Sequence, residues 1–252
     1  MRIEHSHDPV IQTLVAAPLR PDVAIIGGDI AMTTRSQDID LRKDVLEELE
    51  WDPSIDARTI GVAIENGIIA LTGHVGSYAD KTNAEKIVKR VHRVQGVAND
   101  LEVKLPTSYE RDDVDIARSV VNALEWNVSV PKDRIKVSVS KGWVTLDGDV
   151  DWYYQKRSAE SAVDVLAGVR GVTNRMTVKA SQARAEDVKD KIEAALKRNA
   201  EIDSKKIVVQ ASDGRVTLSG SVRSWVEHQD AVNAAWSAPG VMNVVDQIHI
   251  HS

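Results

Sequence analysis

One five-residue pattern, Leu-x-Gly-x-Val, occurs three times in this chain and constrains its fold more than any other feature. Each copy begins four residues after a turn glycine, and the copies read LTGHV at 71–75, LDGDV at 146–150 and LSGSV at 218–222. When the sequence is shifted by 75 residues and then by a further 72, three segments align without a gap and ten columns are identical. The aligned segments are residues 41–103, 116–178 and 188–250. The chain therefore repeats one structural unit of ~63 residues three times.

Each unit shows the same succession of hydrophobic periodicities. Apolar residues from Leu41 to Leu49 recur at helical spacing, and an alternating segment that starts at Ile60 then predicts a strand. Asn66-Gly67 tolerates the positive φ of a tight hairpin turn, and a second strand, a second amphipathic helix and a last strand follow. The predicted fold class is α+β: three tandem small α-β-β-α-β domains, each with two helices packed on one face of a three-stranded mixed sheet.

The segments between the units are short and polar, so we predict three tethered domains rather than one continuous solenoid. The N-terminal segment lacks hydrophobic periodicity and contains three prolines, and we expect a flexible extension there. Asp40 and Asp113 are the predicted N-caps of the first helices of units one and two. The predicted boundaries are a flexible N-terminal extension at 1–38 and domains at 39–105, 113–180 and 185–252.

The repeated glycine, at Gly73, Gly148 and Gly220, admits two interpretations. In the structural interpretation the strand bends there or another backbone comes close, so that no side chain fits. In the functional interpretation the neighbouring backbone amides are exposed to a ligand. The flanking Leu and Val point to one side of the strand, towards the helices, which favours the structural interpretation.

Composition argues against several classes of function. The chain has no cysteine, which excludes thiol chemistry, and its net charge of −6 argues against a general affinity for nucleic acid. The seven histidines share no repeat column, and no catalytic or phosphate-binding motif occurs. We therefore expect no enzymatic activity, metal or cofactor. The N-terminal segment lacks the continuous apolar region of a secretory signal, which favours a cytoplasmic location, with a periplasmic location as the alternative.

The repeated unit resembles the BON domain. The residues that carry the resemblance are LTGHV at 71–75, the aromatic Tyr78 and the segment VQGVANDLEV at 94–103. The corresponding segments of the other units are VRGVTNRMTV at 169–178 and VMNVVDQIHI at 241–250, and the third lacks the glycine of the first two.

This resemblance implies a function without supplying catalytic residues. The BON family is associated with phospholipid surfaces and with bacterial osmotic or envelope stress, and its members are not known as enzymes. The chain is thus expected to be a soluble, non-enzymatic interaction protein whose partners are a phospholipid membrane surface or protein clients. The alternative is a cytoplasmic small-ligand or potassium-ion sensor, similar to a potassium-binding member of the family.

Aromatic side chains, rare elsewhere in the chain, are concentrated in the second unit. Tyr153 has aromatic counterparts in both other units, so packing on the core of its own domain is the favoured interpretation. Its neighbours have none, and amphipathic aromatic side chains suit a membrane headgroup layer or a partner surface. Over residues 116–178, nine basic and seven acidic residues give a balance of +2. The candidate contacts for lipid or a partner here are Trp143, Trp152, Tyr153, Tyr154, Lys156 and Arg157.

Two further surface features remain. Four cations of the first unit recur at the spacing i, i+3, i+4 and i+7, which predicts a basic stripe on one face of the second helix. These cations are Lys86, Lys89, Arg90 and Arg93. The stripe suits anionic headgroups, and a solvated helix face is the alternative. Trp51 and Trp126 share a column at the end of the first helix, where we expect them to pack.

Overall fold

The computed structural model describes residues 27–131, 133–179, 184–199 and 202–251, with side chains described from residue 36 onwards. Within these residues the unit of helix, hairpin, helix and strand occurs three times, which confirms the predicted α+β fold class. The first domain has α1 (Gly27–Trp51), β1 (Ile60–Glu65), β2 (Ile68–Val75), α2 (Tyr78–Val88), β3 (Gly96–Asn99) and β4 (Glu102–Val103). The second has α3 (Asp113–Trp126), β5 (Ile135–Ser140), β6 (Trp143–Val150), α4 (Tyr153–Asp164), β7 (Gly171–Asn174) and β8 (Thr177–Val178). The third has α5 (Ala185–Arg198), β9 (Ile207–Ser212), β10 (Arg215–Val222), α6 (Trp225–Trp236) and β11 (Asn243–Ile250).

All three sheets are mixed, as predicted. In each domain the hairpin strands pair antiparallel, and the last strand pairs parallel to the second hairpin strand, which is therefore central. The last strand is interrupted in the first two domains, as β3 then β4 and as β7 then β8. In the third domain it is continuous as β11.

Each domain has its own aliphatic core between the helices and one face of its sheet. In the second domain Val144, Leu146 and Val150 of β6 are fully buried against Ile116 and Val120 of α3. Alternate residues of a strand point to opposite faces, so the intervening residues of β6 lie on the side of the sheet away from the helices.

The first helix begins earlier than the periodicity of the sequence indicates. α1 starts at Gly27, so it extends into the predicted N-terminal extension at 1–38, of which residues 1–26 lie outside the described residues. Asp40 lies within this helix, and the prediction that it is the N-cap was therefore wrong.

A carboxylate anchors the hairpin turn of the second domain. The N-cap of α3 is Asp112, so the prediction that Asp113 has this role was wrong. Asp113 instead accepts hydrogen bonds of 2.8 Å from the backbone N–H groups of Lys141 and Gly142. Both turn residues have positive φ, 53° and 78°, as a two-residue hairpin turn requires. The third domain has Ala185 at the position of Asp113, so it lacks the carboxylate for this anchor.

The repeated glycine is required by the backbone around it. Gly73 has a φ of 106°, and a Cβ atom placed on it would overlap the carbonyl oxygen of Thr59, just before β1. The prediction that another backbone comes close is therefore confirmed. The same overlap would occur between Gly148 and Arg134, and between Gly220 and Lys206.

The three domains contact one another through an aromatic residue at the start of each second helix. Tyr78 packs on the core of the second domain, and Trp225 packs on the core of the first. Tyr153 stacks on Trp236 of the third domain, with ring centroids 4.1 Å apart and planes inclined by 10°. Tyr78, Tyr153 and Trp225 are called the bridging aromatics below. The interpretation that they pack on the cores of their own domains was wrong.

Each bridging aromatic meets the same position of the neighbouring domain. The Lys89 ammonium group lies 4.7 Å from the centroid of the Trp225 ring. Asp164 faces Tyr78, and burial together with the charge of Asp164 raises the pKa of Tyr78. These two positions and Trp236 fall in one repeat column, called the receiving position below. The domains are therefore in contact as well as tethered.

Candidate interaction surfaces

The exposed aromatic residues of the middle domain surround the start of α4. Gln155 accepts hydrogen bonds from the backbone N–H groups of Asp151 and Trp152, at 2.9 and 3.0 Å, which orders the start of this helix. Trp152 is 39% exposed and Tyr154 is 58% exposed. Both side chains therefore present apolar ring surface to solvent beside the contact with the third domain.

Tyr153 lies between these two residues but faces the third domain. Its ring is stacked on Trp236, and burial is the main cause that raises the pKa of its hydroxyl. Arg157, one turn further along α4, donates a hydrogen bond of 3.0 Å to the side chain of Asn233 of the same neighbour. Tyr153 and Arg157 therefore connect two domains, and Arg157 remains exposed at the edge of the contact.

Lys156 and Trp143 do not join this surface. Lys156 is half-buried, and desolvation lowers its pKa, although Glu160 opposes that shift. Trp143 starts β6 on the face of the sheet away from the helices, because its neighbour Val144 is fully buried towards them. Its indole N–H donates to Thr173 at 2.8 Å. The structure therefore separates Trp143 from the aromatic residues at the start of α4.

The predicted basic stripe is not a continuous cationic face. α2 ends at Val88, so Arg90 and Arg93 lie beyond the helix, and the prediction of one helical face was wrong. Three of the four cations have acidic partners: Lys89 with Glu85 at 2.6 Å, Arg90 with Asp52 at 3.0 Å and Arg93 with Asp44 at 3.0 Å. These pairs offset most of the charge that anionic headgroups would meet.

Lys86, the fourth cation of the stripe, faces a perturbed carboxyl group of the second domain. Burial and the charge of Glu160 raise the pKa of Asp164 to about 6, while Lys86 lowers it. The Oδ1 atom of Asp164 is buried without a hydrogen-bond partner among the described residues. The contact between the first two domains therefore disfavours the ionised form of this carboxyl group.

Sequence reasoning missed the two most exposed tryptophans of the described chain. Trp51 and Trp126, which were expected to pack, are 84% and 86% exposed at the ends of α1 and α3. The corresponding residue of the third domain is Arg198, and a core position would not accept arginine. That substitution in the repeat was the available signal of exposure.

The end of α3, where Trp126 lies, is hydrogen-bonded to α4. The next residue, Asn127, donates hydrogen bonds to the backbone carbonyl and the hydroxyl of Ser158, at 3.3 and 3.0 Å. Ser158 follows Tyr154 by one helical turn on the same face of α4. The end of α3 is thus fixed to α4, with Trp126 in a groove beside Pro131 and Ile135. Trp152 and Tyr154 line a separate groove against the third domain. These three exposed aromatic residues of the middle domain are called the aromatic surface below.

The described residues hold neither a metal-binding cluster nor a membrane-spanning helix. No group of three or more His, Cys, Asp or Glu side chains among them could hold a metal ion. No helix in the described part of the chain is long and apolar enough to cross a membrane. The motif glycines are accounted for by backbone packing, as shown above.

Comparison with family models identifies the class to which this architecture belongs. The BON domain model matches residues 37–104, 112–180 and 184–252, so the chain is a member of the BON domain family with three tandem copies.

One curated relative is the Osmotically-inducible protein Y of Escherichia coli (strain K12). It is 29% identical to this chain over 131 residues, which cover 50% of this chain and 65% of that protein. The match thus spans less than two thirds of the relative's length. The chain is a BON-domain protein similar to an osmotically inducible one.

Two solved structures of CdsD, described as a structural protein of the type III secretion system of Chlamydia trachomatis, also match. Each is 16% identical to this chain with a TM-score of 0.24. The matches cover 84% and 85% of this chain, and 92% and 98% of the respective CdsD chains.

Proposed function

We propose that this protein binds anionic phospholipid surfaces without enzymatic activity, as part of a bacterial response to osmotic or envelope stress. The observation that carries the proposal is the aromatic surface of the middle domain, in which Trp126 is 86% exposed. Membership of the BON family and similarity to an osmotically inducible protein support the same interpretation.

The aromatic surface suits a lipid headgroup layer because its side chains are amphipathic. Tryptophan and tyrosine can bury their rings among the upper acyl chains while the indole N–H or hydroxyl stays hydrogen-bonded to headgroups or water. Full burial of one large apolar side chain contributes about 1.5–3 kcal/mol. Partial insertion of Trp126, Trp152 and Tyr154 would therefore give a reversible peripheral contact.

The local charges favour an anionic rather than a neutral surface. Arg157 is exposed beside Tyr154, and each cation near an anionic membrane adds about 1 kcal/mol. Asp151, next to Trp152, is paired with Arg134 at 2.8 Å, and this partner lowers the pKa of the carboxyl group. The charge of Asp151 is therefore largely offset, whereas the exposed Glu125 beside Trp126 opposes an anionic surface.

Vesicle co-sedimentation tests this proposal. The full chain should sediment with phosphatidylglycerol-containing vesicles and not with phosphatidylcholine vesicles, and added salt should weaken the association. The double substitution Trp126→Ala with Tyr154→Ala should lower the vesicle affinity at least about tenfold, which corresponds to about 1.4 kcal/mol. Trp143→Ala is the matched control, because Trp143 is also half-exposed but lies on the opposite side of the sheet.

Two results would overturn the proposal. If the folded double variant, checked by circular dichroism, binds vesicles as the parent does, the aromatic surface is not the lipid site. If the parent protein binds neither kind of vesicle, lipid binding itself is refuted. Calorimetric titration with potassium and capture of protein clients would then test the other interpretations of the family resemblance.

A further inference from the structure

We propose that the three domains close into a ring through the bridging aromatics, and that this ring presents Trp51, Trp126 and Arg198 together on one face to a flat anionic bilayer. The proposal rests on the lipid binding proposed above and deepens it. It assigns the lipid contact to all three domains acting together rather than to the middle domain alone.

The three contacts between domains are equivalent. The contact runs from Tyr78 to Asp164, from Tyr153 to Trp236, and from Trp225 back to Lys89. In every case the first residue starts a second helix and the other occupies the receiving position of the next domain. A head-to-tail contact that repeats between equivalent positions generates either an open filament or a closed ring. Here the third contact returns to the first domain, so the ring closes.

A closed ring constrains where the ends of the first helices lie. Points related by a threefold rotation lie in one plane perpendicular to the rotation axis. Trp51, Trp126 and Arg198 occupy one repeat column, each at the last residue of the first helix of its domain. Ring closure therefore places these three helix ends at the same height along the ring axis and with the same inclination to it. The proposal adds that they project from one face of the ring rather than from its rim, so that a flat partner such as a bilayer contacts them simultaneously. A chain of independent domains has no such common plane.

The three helix ends carry side chains that suit a lipid surface. Two of them carry tryptophans that are 84% and 86% exposed, and the third carries the exposed Arg198 preceded by the exposed Lys197. Indole rings insert at the headgroup boundary, and arginine binds phosphate groups. The set combines two anchors with one anion contact. Lys197 and Arg198 supply the attraction to anionic phospholipid, and the exposed Glu50 and Glu125 beside the tryptophans reduce it.

The physical consequence is avidity. Each helix end alone offers one side chain or one short basic pair, which gives weak binding. When the first contact forms, a closed ring holds the other two helix ends near the same surface, so their binding becomes intramolecular. Opening the ring should therefore lower the vesicle affinity even though the lipid-contacting side chains are unchanged.

Trp225→Ala is the variant that separates closure from lipid contact. Trp225 makes the contact between the third and first domains, and it lies in α6 rather than at any of the three helix ends. Trp225→Tyr is the matched control, because tyrosine fills the same position in the other two domains and should retain closure. The chain has no cysteine, so Glu65→Cys and Ser212→Cys, in equivalent hairpins of the first and third domains, accept a donor and an acceptor dye for energy transfer.

Energy transfer and vesicle binding are measured on the same full-length proteins, with phosphatidylglycerol–phosphatidylcholine vesicles. We expect Trp225→Ala to lower the transfer efficiency and to weaken vesicle binding about tenfold or more, while Trp225→Tyr keeps both. Trp51→Ala should weaken binding without changing the transfer efficiency, since it removes an anchor and leaves the ring closed.

The outcomes separate the two proposals. Transfer efficiency that is equal in the parent and in folded Trp225→Ala refutes the ring, whatever the vesicles show. If Trp225→Ala opens the ring but its vesicle affinity equals that of the parent, the three domains do not bind the bilayer as one unit. The proposal of lipid binding itself is then unaffected. If the parent protein does not bind anionic vesicles, both the proposed function and the proposal that three domains dock together are refuted.

Discussion

Replacing Gly73 by alanine should destabilise the first domain strongly, because the backbone at this residue excludes even the smallest side chain. Gly73 lies opposite Ile60 in the hairpin, with a φ of 106°. A Cβ atom there would approach the Thr59 carbonyl oxygen to under 3.0 Å, a separation that real Cβ atoms essentially never show. Neither the residue before β1 nor the strand can move without disturbing the pairing of β1 with β2.

Two costs add at this site. A non-glycine residue held in a sparsely populated backbone region costs about 1–3 kcal/mol. Inserting a methyl group where no space exists costs about 1–3 kcal/mol more. The free energy of unfolding of the first domain should therefore fall by about 2–6 kcal/mol, which lowers the melting temperature of a small domain by about 8 °C or more.

Differential scanning calorimetry of the full chain measures this effect, and Gly96→Ala is the control. Gly96 is in the same sheet, has no positive φ, and would place a Cβ atom 3.8 Å from the side chain of Ile68, an ordinary contact. Its substitution should change stability by no more than about 0.5 kcal/mol. If both variants melt at the same temperature, backbone packing does not account for the repeated glycine.

Three further substitutions test the remaining contacts. Burial raises the pKa of Asp164 from 3.8 to about 6, so the folded protein keeps the proton that the unfolded chain has already released. The contact between the first two domains should therefore lose stability as pH rises from about 4 to about 6. Melting curves recorded over this pH range should show the loss in the parent and not in Asp164→Asn. Glu227 is 3% exposed and accepts from the backbone N–H groups of Asp203 and Arg223, so Glu227→Ala should cost about 1–3 kcal/mol in urea denaturation. Asp113→Ala should cost about 1–3 kcal/mol by removing the carboxylate that binds the hairpin amides, and an unchanged urea midpoint would refute that anchor.

The fold of each domain could be predicted from the sequence because its determinants are local and repeated. Hydrophobic periodicity records which face of each helix and strand is buried, and three aligned copies separate that signal from chance. The glycine at Gly73, Gly148 and Gly220 was predictable for the same reason, since a column that never carries a side chain indicates a backbone constraint. Asp113 shows the limit: a helix start was evident, but the choice between a cap and a hairpin anchor depends on a segment 28 residues away.

The candidate surfaces depended on tertiary structure, because composition and spacing do not specify which side chains meet across domains. Tyr153 and Trp152 are adjacent aromatics in the sequence, yet one is stacked on the third domain and the other remains partly exposed. Trp126 has a large apolar side chain of the kind usually found in a core, yet it is 86% exposed at the end of α3. The arginine in its repeat column hinted at exposure, but only the structure shows which groove it lines. The sequence by itself therefore determined the repeated unit and its backbone requirements, which follow from short-range periodicity and turn chemistry. The tertiary structure decided which aromatic residues bridge domains and which face outwards, because those contacts join residues distant in the chain.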